Sequence, residues 1–299
     1  MSKINVISAE ENESFHKFNV NNIVVELPTN LPAKGQMGVW VNVKYLFENE
    51  SKSKSKSKLG LLKIQTSELF SYGISKYDAN SPYKMSFAMV NRKLREDQNK
   101  GDDISEDSLV DIKVENETID ILEKITEKVK EEMRKPEMIK ALGKDKKDKD
   151  SKKWLDNVEN MEVVKRKEQE NGIDAVYVNA KVVTNNNFMK SRFLMLDEDA
   201  EEGVVDLDQE ETIEKLSQKT INCKATVILV IDSVFVSDKP CLQIKLSEAV
   251  ISEFVELKVK RNIIIPERFR NRSIEKKRLD ELVIPNKKII KESDDDDSD

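Results

Sequence analysis

"ATVILVIDSVFVSDKPCLQIKLSEAVI", residues 225–251, decides how the rest of the chain is read. Its first part is apolar and β-branched almost without a break, the pattern of a strand buried on both faces, and "CLQIKLSEAVI" is a second strand signal. Others lie upstream in "AVYVNAKVVT" and "FMKSRFLML". Farther back, "NVNNIVVEL" and "MGVWVNVKYLF" read as strands, with Val39, Val41, Val43 and Tyr45 on one face at period two. "LGLLKIQTSELFSYGISKYDANSPYKMSFAMV" adds two strands around a Gly/Asn/Pro turn; there Tyr83, Met85, Phe87 and Met89 alternate with Lys84, Ser86 and Ala88. Each group of strands alone would leave edges exposed, and closing them together into a small barrel removes those edges.

The stretch between the two groups has a different period. In "TIDILEKITEKVKEEMRKP", Ile119, Leu122, Ile125, Val129 and Met133 recur every three or four residues until Pro136, which predicts an amphipathic helix. "GKDKKDKDSKK" is a solvated charge run, and "WLDNVENMEVVKRK" holds one more short helix. Residues 91–170 therefore read as a charged, helical insertion in a β domain spanning 18–255. The fold class expected is mainly β with a helical insertion (α+β).

Charged residues make up 36% of the chain, above the roughly 25% usual for globular proteins, so much of its length must be solvated. "ENESKSKSKSK" is too polar to pack. Residues 256–291 carry twelve Lys/Arg against five Asp/Glu, a basic segment that runs directly into "ESDDDDSD". A run of like charge cannot bury a core, so a disordered acidic tail is expected over 292–299.

Cys223 and Cys241 lie in apolar runs and are too few for a disulfide framework, which predicts an intracellular protein. With no apolar stretch of about 18 residues and no signal-peptide core in "MSKINVISAEENESF", the sequence predicts a soluble chain without membrane contact. His16 is the one histidine, with no Cys/His cluster to complete a zinc site, and no Walker or Rossmann glycine spacing occurs among eight glycines. No metal, cofactor or enzymatic activity is expected.

One constellation remains. Phe70, Tyr72, Tyr77, Tyr83 and Phe87 are interleaved with Lys76, Lys84, Arg92 and Lys93. Aromatic faces stack on bases while cations meet phosphates, the requirement of a sequence-tolerant single-strand groove. Phe87 shares parity with Met89 and is equally a core side chain. Gly73 permits a tight turn that would expose Tyr72. "NNNFMKSRFLML" repeats the idea with Phe188, Lys190, Arg192 and Phe193, where Lys190 and Arg192 share one strand face.

The block order "IQTSELFSYGISKY", "YKMSFAM", charged insertion, "VYVNAKVV", a short helix near "EETIEKLSQ", "ATVILVIDSVFVSDKPCLQIKLSEAVI" and acidic end resembles the single-stranded DNA-binding proteins of large eukaryotic DNA viruses related to the phage T7 type. The resemblance covers roughly residues 20–255 and the tail. It implies an OB-fold-like barrel that coats single-stranded DNA in viral replication, recombination or repair, in a replication compartment or virion. It also implies an acidic tail, Glu292, Asp294, Asp295, Asp296, Asp297 and Asp299, that competes with DNA for the groove or contacts replication proteins, and it leaves room for a homo-oligomer. The phage and bacterial tails usually finish on an aromatic residue, whereas this chain ends at Asp299. Two other readings compete: a structural or packaging protein of a virus particle whose basic arm holds partners, and an acidic protein of histone-chaperone type.

Overall fold

Residues 221–236 form a single strand, β11 (Ile221–Val236), paired along both edges, and its apolar run is explained by burial, since none of its residues is exposed. On one side lies β12 (Pro240–Glu256); on the other lie β5 (Leu62–Ser75) and, toward the end of β11, β3 (Val39–Phe47). The computed structural model describes residues 6–8, 18–28, 38–47, 58–89, 106–145, 148–168, 175–185 and 189–257. His16, Arg92, Lys93, Phe188, the Ser/Lys run of 51–57, nearly all of the basic segment and the acidic tail lie outside them. The chain divides into two compact units, 1–257 and 258–299, and the second is wholly outside the described residues.

Five strands close into a barrel. β5 pairs antiparallel with β6 (Lys84–Ala88), and β6 antiparallel with β8 (Ala175–Val182). β8 then runs parallel to β12, and β11, antiparallel to both β12 and β5, completes the ring. Leu62, Ile64, Met85, Phe87, Val178, Ala180, Leu229, Ile231 and Leu246 are fully buried members of one apolar core, so the alternation of each strand is spent on filling the interior. Closure pairs strand edges that would otherwise present unpaired N–H and C=O groups.

The remaining strands extend this ring. β9 (Arg192–Leu196) lies parallel to β12 and carries β10 (Val204–Leu207); β2 (Ile23–Val25) and β4 (Lys58–Gly60) lie on β3. β1 (Ile7–Ser8) runs parallel to β5. In "NVNNIVVEL" the strand is confined to β2, because the Asn19 side chain accepts from the Asn21 N–H and folds residues 20–22 into a 3-10 turn first.

The insertion forms α1 (Glu106–Met133), α2 (Pro136–Ala141) and α3 (Asp148–Glu159). The expected stripe of Ile119, Leu122, Ile125, Val129 and Met133 is buried and faces β2 and β5. Pro136 ends one helix and begins the next, where its missing N–H costs nothing. Trp154 of α3 is buried and its Nε1–H donates to the Met133 carbonyl at 3.2 Å, satisfying an orphan acceptor at the end of α1. Helices occupy 106–133, 136–141 and 148–159 of the insertion, and the sheet resumes earlier than the sequence indicates. Residues 164–167, "VKRK", form β7 (Val164–Lys167) along β8, with only Val164 buried. Pairing with β8, not alternation, makes this charged segment a strand.

A last helix, α4 (Gln209–Leu216), precedes β11; the Asp208 side chain caps it by accepting from the N–H groups of Glu210 and Glu211. Among the described residues no helix is long and apolar enough to cross a membrane. Cys223 sits in the barrel core, where burial pushes its thiol up to about 12, while Cys241 is exposed. Native protein at about pH 8 is therefore expected to give up Cys241 alone to a chromogenic disulfide reagent, with Cys223 reacting only after denaturation. Fast modification of both thiols in the native state would contradict the burial of β11.

Candidate nucleic-acid interface

The barrel's register lines up three lysines that the sequence keeps far apart. Lys84 on β6 is the register partner of Lys181 on β8, and Lys181 is the register partner of Lys245 on β12. Each alternates with core residues, Met85, Ala180 and Val182, Ile244 and Leu246, so the three side chains share the outer face. With neighbouring strands about 4.8 Å apart, the row spans about 10 Å. Partial burial is the largest influence on the Lys181 amine, holding it below the ordinary lysine range; the Lys245 and Lys84 ammonium groups act in the same direction and the Asp232 carboxylate opposes them. Lys245 and Asp232 form a close ion pair.

The turn between β5 and β6 flanks this row. The Asp78 carboxylate accepts from the N–H groups of Asn80 and Ser81, at 2.9 and 2.7 Å, and fixes the turn; hydrogen bonding with Ser81 chiefly lowers its pKa. Lys76 donates to the Ala79 carbonyl and stands 4.5 Å from the Tyr83 ring centre. Lys76, Tyr83, Lys181 and Lys245, with Thr184 and Asn185, line a cleft of about 480 Å³. On the other side is Trp40 of β3, 48% exposed, against Phe235 at 4.8 Å. Its ring centre lies 6.0 Å from the Lys181 amine and 5.9 Å from that of Lys245. A row of cations with an aromatic ring beside it can hold a chain of phosphates while bases find a face to stack on.

Tyr72 and Tyr77 are 54% and 93% exposed, in keeping with rings available to a ligand. The exposure of Tyr72 arises differently from the expected turn. β5 carries one extra residue between Ser71 and Ile74 relative to β6, a bulge at which Gly73 takes a φ of +84°. Ser71 and Ile74 both remain buried and Tyr72 is directed outward, edge-on to Phe70 at 5.4 Å. Phe70 itself is buried, and its contribution is to back the Tyr72 ring.

The second candidate cluster is not built the same way. Phe193, proposed as a stacking ring, is 1% exposed and belongs to the core, because on β9 its side chain points to the face opposite that of Arg192. Arg192 is exposed and bonded to Asp206 across the β9–β10 pair at 2.9 Å, which partly neutralises it. Lys190 is exposed just before β9. The sequence reading missed Trp40, Lys181 and Lys245. Trp40 had a signal, since it breaks the apolar parity of Val39, Val41 and Val43 and must therefore face outward; the two lysines had none beyond ordinary alternation.

A family model described as a protein of unknown function (DUF2738) matches residues 35–296. No curated protein matches the chain.

Proposed function

The chain belongs to the DUF2738 family of proteins of unknown function, so its role must be read from its own surface, and we propose that it binds single-stranded DNA without sequence preference. The observation that carries this reading is the in-register row Lys84, Lys181 and Lys245 beside the exposed Trp40 ring. We assign the barrel to the OB-like class, in which the face of the second and third strands and the loops joining strands one to two and four to five take oligonucleotides. Here those parts are β6 and β8, the 76–83 turn and the 237–239 turn, and the lysine row starts on that face. The block order that resembles viral single-strand-binding proteins supports a role in viral DNA replication, recombination or repair. The acidic run at 292–299 then serves as a competitor for the same cations or a contact for replication proteins.

Fluorescence anisotropy with labelled oligo(dT) and with a duplex of equal length, over a salt series, tests the proposal. Salt-sensitive binding to the single strand, with the duplex much weaker, is the expected result. Equal binding to both, or to neither, would overturn it.

Within this reading the rings carry stacking energy. Trp40→Ala, Tyr72→Ala and Tyr77→Ala are each expected to weaken oligo(dT) binding by about 1–3 kcal/mol. Tyr77, at the tip of its turn, should do so with no change in melting temperature. Tyr77→Ala binding as the parent does would remove that ring from the interface.

A further inference from the structure

The lysine row has a chemical property that simple phosphate binding leaves unused. Lys245 is engaged by the Asp232 carboxylate, and Lys84 stands exposed at the far end of the row. Lys181 lies between them, partly buried in the wall of the 480 Å³ cleft, with the Trp40 ring 6.0 Å away. Among the titratable groups facing it, Lys84 and Lys245 disfavour its charged form and Asp232 favours it; desolvation, the largest influence, also disfavours the charge. An amine placed among other cations and partly removed from water keeps a larger fraction of its lone pair free at neutral pH, which is how lysines become nucleophiles toward carbonyl carbon. Single-stranded DNA carries one reactive carbonyl of its own: the ring-opened sugar aldehyde left where a base has been lost.

We propose that Lys181 is a nucleophilic amine that condenses with the aldehyde of an abasic site in single-stranded DNA held on this face. The inference rests on the single-strand reading above. In the step, the Lys181 Nζ lone pair adds to the aldehyde carbon to give a carbinolamine. One Nζ proton passes to the former carbonyl oxygen; the resulting hydroxyl leaves as water with a proton from a neighbouring ammonium group, the second Nζ proton returns to that amine, and a carbon–nitrogen double bond remains. No oxidant or reductant is consumed. The phosphates on either side of the lesion would lie against Lys84 and Lys245, the register neighbours of Lys181.

The test uses the full chain and a labelled oligo(dT) with one uracil converted to an abasic site, incubated with cyanoborohydride, which reduces an imine to a stable amine. A covalent adduct is expected on a denaturing gel, absent with intact oligo(dT), and peptide mapping should place it on Lys181. Lys181→Arg and, as a control outside the row, Lys124→Arg on the exposed side of α1 are compared at protein concentrations that saturate the oligonucleotide for each variant, so that differences in affinity drop out. Lys181→Arg should lower the adduct at least tenfold, and Lys124→Arg should retain it. Adducts scattered over surface lysines, an unmodified Lys181 peptide, or an undiminished yield from Lys181→Arg would overturn the proposal. Anisotropy on the same oligonucleotides separates the two failures. Tight binding without a Lys181 adduct rejects the nucleophile alone, whereas no binding rejects the single-strand reading and the imine with it.

Discussion

Changing Lys84, Lys181 and Lys245 together to glutamine is expected to reduce the slope of log affinity against log salt for oligo(dT) by roughly 2, because each single-strand phosphate that no longer meets a cation lowers the slope by about 0.7. The affinity advantage of the parent protein should consequently shrink roughly 20-fold between about 50 and about 200 mM salt. Glutamine is chosen because Lys245 also serves Asp232, and an alanine there would leave a partly buried carboxylate with the Ser233 hydroxyl but without its cation. Isotherms measured across the salt series give the slope directly, and circular dichroism checks the fold. A slope unchanged by the triple substitution would move the DNA off this face of the barrel. Substituting Lys190 and Arg192 in the same way should have a smaller effect, since Arg192 is already bonded to Asp206.

Gly73→Ala is expected to be the most damaging small change in the barrel. A Cβ at this position would lie 2.3 Å from the Leu216 carbonyl oxygen, at the end of α4, and 3.1 Å from that of Ile221. Both obstacles are backbone, so the strand or the helix must move. The left-handed φ of +84° adds about 1–2 kcal/mol for a residue with a Cβ, and forcing extra volume into a packed site adds about 1–3 kcal/mol. Urea unfolding should show a loss of about 2–5 kcal/mol from these two effects. The same bulge directs Tyr72 outward, so folded Gly73→Ala protein should also bind oligo(dT) less tightly. A stability loss within about 0.5 kcal/mol, the range of an ordinary surface substitution, would show that β5 and α4 do not approach this closely.

Local periodicity was enough to locate most of the architecture. Val41, Val43 and Tyr45 are buried because their parity is written in "VWVNVKY", and α1 buries the stripe at Leu122, Ile125 and Val129 because three- and four-residue spacing permits no other face. The nearly unbroken apolar run of β11 announced a buried strand. β7 escaped notice because "VKRK" has no period of its own. For the candidate interface, Tyr72 and Tyr77 were legible as aromatic residues near glycine and turn signals, whereas Phe193 had the same composition and a buried environment.

What the sequence by itself determined is therefore the set of elements and the apolar face of each, since both follow from the side-chain repeat of a single strand or helix. Tertiary structure alone decided the ring order β5, β6, β8, β12, β11, the bulge at Gly73, and the meeting of Lys84, Lys181 and Lys245 in one row with Trp40 beside it. The physical reason is that register is a property of pairs of strands. A shift of one residue in either partner would turn a lysine from the outer face to the core, and the choice is made by hydrogen bonds and packed side chains contributed by segments remote in the chain.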